Sequence, residues 1–104
     1  MRPKAGERFR ALRDTPVQGV ITLRTPGSAG FAGTLPRGEI VAVEKDPPSH
    51  AKGVYARPER YEEMARLLVP PSDLANQLFG SYALVISFES LEQDFQLVTS
   101  FRAG

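Results

Sequence analysis

The sequence predicts a mainly β domain, a small antiparallel barrel or roll with one clear helix and one short helix. Three observations carry this. Nine prolines and nine glycines cut 104 residues into short pieces, which favours short strands over a helical bundle. Period-two alternation runs through Tyr82, Leu84, Ile86, Phe88 and again through Phe95, Leu97, Thr99, Phe101, so each stretch buries one face. Helical spacing is confined to one region: Tyr61, Met64, Ala65 and Leu68 fall at i, i+3, i+4 and i+7.

Taken in order, Glu7 to Asp14 reads as a strand between Gly6 and Thr15-Pro16. Val17 to Arg24 follows, with β-branched Val20, Ile21 and Thr22 at its centre. Thr25 to Gly38, TPGSAGFAGTLPRG, has four glycines and two prolines and no periodicity. It is expected to be a long loop, functional or mobile. A third strand, Glu39 to Lys45, ends at Asp46-Pro47-Pro48-Ser49, because proline cannot donate to a ladder. Gly53 to Arg57 is a short fourth strand running into Pro58.

The helix covers about 58–69, opened by proline and by acidic Glu59, Glu62 and Glu63 and stopped by Pro70-Pro71. A short helix covers about 73–79, capped by Ser72 or Asp73 and closed by Gly80 as its left-handed residue. The two alternating stretches then form a C-terminal antiparallel hairpin around Ser90 to Asp94. Residues 1–104 are expected to make a single domain, with 1–6 a mobile tail. The rhythm of short strands around a glycine-rich segment resembles a small SH3-like barrel, an architectural likeness that carries no function.

Cysteine is absent, which removes disulfides, thiolate metal sites and cysteine nucleophiles and fits a reducing compartment. The longest apolar run, Ala83 to Ile86, is strand-sized, far short of the ~20 residues a membrane helix needs. No signal-peptide pattern follows the basic start. A cytoplasmic location is the expectation, and ten arginines against three lysines suggest a GC-rich bacterial source.

No catalytic constellation stands out. The glycines at 27, 30 and 33 match neither phosphate-binding pattern. The single histidine, His50, lies in a Pro-rich polar turn, without the ligand set a metal needs. Glu62-Glu63 and Glu89, Glu92, Asp94 occupy polar settings, without the desolvation that acid–base catalysis by paired carboxylates needs. Neither enzyme activity, a cofactor nor a metal is expected.

What remains is contact. Phe31, held among glycines, is either an internal anchor or an exposed partner contact, and with Arg37, Tyr55 and Arg57 it forms the expected surface for a protein or peptide partner. Self-association through a strand edge is a variant, so the chain is a monomer or homodimer. The alternative is nucleic acid. Residues 1–37 hold seven basic side chains against two acidic, and 38–104 six basic against ten acidic. Arg2, Lys4, Arg8, Arg10, Arg13 and Arg24 would supply phosphate contacts, with Arg8, Arg10 and Arg24 on one face if the first two strands pair. The same asymmetry is expected to cancel if the two parts of the chain face each other.

Overall fold

The computed structural model describes residues 2–98. Its strands are β1 (Arg8–Ala11), β2 (Thr15–Leu23), β3 (Ser28–Leu35), β4 (Ile40–Val43), β5 (Gly53–Pro58), β6 (Phe79–Ser87) and β7 (Phe95–Val98). The helices are α1 (Tyr61–Leu68), α2 (Pro71–Leu74) and α3 (Phe88–Asp94). All seven strands join one sheet in the order β3-β2-β6-β5-β4-β1-β7, and every neighbouring pair is antiparallel. The mainly β reading holds. An SH3-like arrangement is not established by this order, in which β3 and β7 remain the two edges.

Alternation places one face of the sheet inward. Phe9, Ile21, Phe31, Leu35, Val41, Val54, Leu84 and Phe95 come from all seven strands and lie in a single core cluster, so the sheet curls around one interior. Helix α1 adds Met64, Ala65 and Leu68 to that cluster, the stripe its spacing predicts. No helix among the described residues is long and apolar enough to cross a membrane.

Three sequence expectations change. Within the supposed loop 25–38, eight residues form β3, paired with β2 from Thr15↔Leu35 to Thr22↔Ser28. Composition hides this strand because Gly33 in it and Gly19 on its partner β2 serve packing. Phe31 lies over Gly19, where a Cβ would come within 2.2 Å of the ring, and Leu68 presses on Gly33.

The first two strands do not pair with each other. β1 lies between β4 and β7, and β2 between β3 and β6. The C-terminal hairpin is also replaced: the alternation of its first arm holds through Tyr82, Leu84 and Ile86, but on the second arm Phe95 is buried while Leu97 is 51% exposed. Ser87 accepts a hydrogen bond from the Ser90 N–H through its side chain and caps α3, which carries Glu89 in its first turn and buries Leu91. That helix carries the chain across to β1, where Phe95 pairs with Ala11 and Leu97 with Phe9. Thr99 to Arg102 lie outside the described residues.

Smaller boundaries shift too. The helix expected over 58–69 spans Tyr61–Leu68, with Pro58 ending β5. The short helix is the single turn Pro71–Leu74, and Phe79 and Gly80 belong to β6. Gly80 does not take the left-handed cap conformation. Its requirement is space, since an added Cβ would sit 2.7 Å from the Thr22 carbonyl oxygen.

Candidate binding surface

On the outer face, β2, β6 and β5 bring Gln18, Val85 and Tyr55 into one cross-strand row, with Gln18↔Val85 and Tyr55↔Val85 in register. Val85 is 40% and Tyr55 45% exposed, so two adjoining large apolar side chains face solvent on the same ridge. The Lys45 ammonium lies 5.9 Å from the Tyr55 ring centroid, a spacing at which a cation is attracted to the ring.

The sheet splits beside this ridge, for a reason written in the sequence. The Leu23 N–H donates to Gly27 O at 3.2 Å, which makes Leu23 and Gly27 a hydrogen-bonded pair. Antiparallel pairs alternate between bonded and non-bonded, so Gln18 and Pro16 direct their backbone groups away from β3 and toward β6. Gln18 finds Val85 there. Pro16 has no N–H to offer, and the β2–β6 ladder ends. Beyond that point Thr15, Pro16 and Val17 pair only with β3, while Ile86 and Ser87 pair only with β5. The fork holds a hollow of about 540 Å³ lined by Pro16, Gln18, Ala32, Lys52, Gly53 and Val85 among others. A second hollow of about 320 Å³ lies across the ridge, against Lys45, Pro47, Pro48, Gly53, Tyr55 and Val85. Gly53 and Val85 line both.

The partner residues expected from sequence do not gather. Tyr55 stands on the ridge. Phe31 is 9% exposed and points inward, its ring 6.1 Å and edge-on from Tyr82. Arg37 sits in the connection from β3 to β4, where its N–H donates to the Asp14 carboxylate. Arg57 is exposed on β5 and lies 3.9 Å from the Tyr61 ring centroid.

That arginine heads an internal stack. Tyr61 stacks on Tyr82 at 4.5 Å with 22° between the planes, and Tyr82 meets Phe31. Two hydrogen bonds lock the tyrosines reciprocally: the Tyr82 N–H donates to Tyr61 Oη at 3.0 Å, and the Tyr82 hydroxyl donates to the Tyr61 carbonyl at 2.6 Å. Tyr82 N–H needs this partner because the β5–β6 pairing stops at Ala56↔Leu84. Burial, and to a lesser degree the neighbouring Tyr61, raises the Tyr82 phenol above its ordinary pKa of 10.0, while Arg57 acts in the opposite sense.

The basic residues proposed for nucleic acid are scattered. Arg2 donates to the carbonyls of Pro47 and Pro48 and stands over Phe88. Lys4 is exposed, its backbone N–H held by Glu7. Arg8 pairs with Glu59 and Arg13 with Asp94. The Arg8 contact raises the guanidinium's pKa and lowers that of Glu59. Arg10 is exposed on β1, and Arg24 lies beyond the end of β2, with β6, β5 and β4 between those two strands. His50 is exposed in the connection from β4 to β5 and lines neither hollow.

No family model, curated protein or solved structure matches this chain. The surface therefore stands on its geometry. Val85, Gln18, Pro16, Lys52 and Gly53 are the residues that sequence reasoning passed over. One signal was available: in Ala83, Val85, Ser87, the set opposite the buried Tyr82, Leu84 and Ile86, a large apolar side chain stands where a solvated face calls for a polar one.

Proposed function

We propose that this chain is a non-catalytic interaction domain that binds an extended segment of a protein partner across the outer face of β2, β6 and β5. The observation that carries the reading is the exposed Tyr55–Val85 pair set between two hollows. Exposed apolar side chains are common singly, but a contiguous apolar ridge rimmed by polar groups marks a contact site. Lys45, Lys52, Gln18 and Ser87 provide that rim. The geometry suits an extended segment whose alternate apolar side chains enter the two hollows on either side of Val85. Tyrosine at the centre is typical of residues that dominate binding energy.

The test is a peptide-display selection on the folded protein, with Val85→Asp as the counter-target. Peptides carrying alternate apolar residues should be enriched, and should lose at least about tenfold in affinity on Val85→Asp or Tyr55→Ala, as central contacts do. Bound peptide should shift the amide resonances of residues 52–55 and 85–87. Enrichment that ignores both substitutions, or no enrichment at all, overturns the reading.

A further inference from the structure

Among the described residues the sheet has two edges, β7, described over Phe95–Val98, and β3, which runs eight residues, Ser28–Leu35, without a charged side chain or proline. Edge strands are normally blunted by shortness, lysine, proline, bulges or a covering element. β3 has none of the first three, and its pairing with β2 continues through eight consecutive positions without a bulge. Helix α1 meets it on the inner face, with Leu68 against Gly33, while Ser28, Gly30, Ala32 and Thr34 stay exposed.

The alternation set by Leu23 and Gly27 fixes which backbone groups face outward. Ala29, Phe31, Gly33 and Leu35 form the hydrogen-bonded pairs with β2, so Ser28, Gly30, Ala32 and Thr34 direct their N–H and C=O groups to the open side. Among the described residues no backbone or side-chain hydrogen bond reaches those groups.

We infer that β3 is a self-pairing edge, and that its partner is β3 of a second copy of this chain, related by a twofold axis at Phe31. An antiparallel pair centred there sets Ser28 opposite Thr34 and Gly30 opposite Ala32, which uses every outward group on both strands. All four side chains on that face are small and uncharged, so none of them puts a bulky group or a charge into the joint. A foreign strand is chosen by pockets for its alternate side chains, and along this edge only Ala32 and Gly33 border one, the hollow at the fork. An isologous contact of this kind closes at two copies. The resulting sheet would be continuous across the dimer, leaving each Tyr55–Val85 ridge open. The inference does not rest on the function proposed above: Tyr55 and Val85 lie off the joint, and the shared ground is limited to Ala32 and Gly33, which line one of the two hollows.

Sedimentation of the full chain from low micromolar to sub-millimolar concentration should show a monomer passing to a dimer and no further. Ala32→Pro removes one outward donor at a position that gives no hydrogen bond to β2, and Ala32→Lys sets like charges near the axis. Each should weaken the dimer at least about tenfold while leaving the far-ultraviolet spectrum of the monomer unchanged. In the wild-type chain, the Gly30 and Ala32 amides should gain exchange protection as concentration rises. A chain that stays monomeric overturns the inference, as does a dimer in which these amides gain no protection.

Discussion

Tyr82 shows how a residue chosen for its ring comes to depend on its hydroxyl. Its side chain is 2% exposed, and its phenol donates to the Tyr61 carbonyl, so ionisation in place would strand a charge in the core. The raised pKa has a definite sign for stability. The folded chain favours the neutral phenol, so that contribution is complete below about pH 10. It falls as pH climbs above that value, because the unfolded chain gives up its proton first. Denaturant melts taken across that range should show stability dropping with pH, and Tyr82→Phe should flatten the drop while costing about 1 kcal/mol at neutral pH. An equal alkaline slope in both proteins would contradict this. In sequence, Tyr82 reads as one member of an alternating run. Its hydroxyl's partner lies on α1, and no local pattern announces a bond made through tertiary packing.

Elements were legible where their own residues decide them. The stripe on α1 and the alternation of β6 needed only spacing, and Pro70-Pro71 follow directly on the C-cap of α1, where proline cannot continue the helix. β3 was hidden because its glycines look like loop composition. The reason for Gly19 lies twelve residues away on the paired strand, in the ring of Phe31. Gly19→Ala should therefore destabilise by about 1–3 kcal/mol, an overpacking cost that exceeds any gain from lower chain entropy. If Phe31→Leu makes the same alanine markedly less costly, the coupling belongs to this contact. A change in melting temperature equal in the two backgrounds would show that Phe31 does not lie over Gly19. The α3 segment was missed for the opposite reason. Seven residues between two alternating stretches suit a hairpin loop equally well, and only the pairing of β7 with β1 requires them to cross the end of the sheet.

At the scale of the molecule, the uneven charge of the chain is partly spent internally. Arg8 and Arg13 from the basic N-terminal part meet Glu59 and Asp94 from the acidic remainder, the cancelling arrangement that the sequence made equally readable. Such exposed pairs add little stability. Their interest lies in what they leave on the surface: an apolar ridge at Tyr55 and Val85 and an unguarded edge at β3. Pro16 and the apolar Val85 are visible along the chain, but what adjoins them, and which strand is left at the edge, depends on strand order. The fork exists because β2 adjoins β6, and the edge exists because, among the described residues, no strand lies beyond β3 in the sheet. The β3 edge, and the hollow beside the ridge that Ala32 and Gly33 help to line, thus require Ser28–Leu35 to be a strand. Amide hydrogen exchange at low protein concentration tests that most directly. We expect Ala29, Phe31 and Gly33 to be protected and Ser28, Gly30 and Ala32 to exchange fast, in strict alternation; uniformly fast exchange from residue 25 to 38 would contradict it.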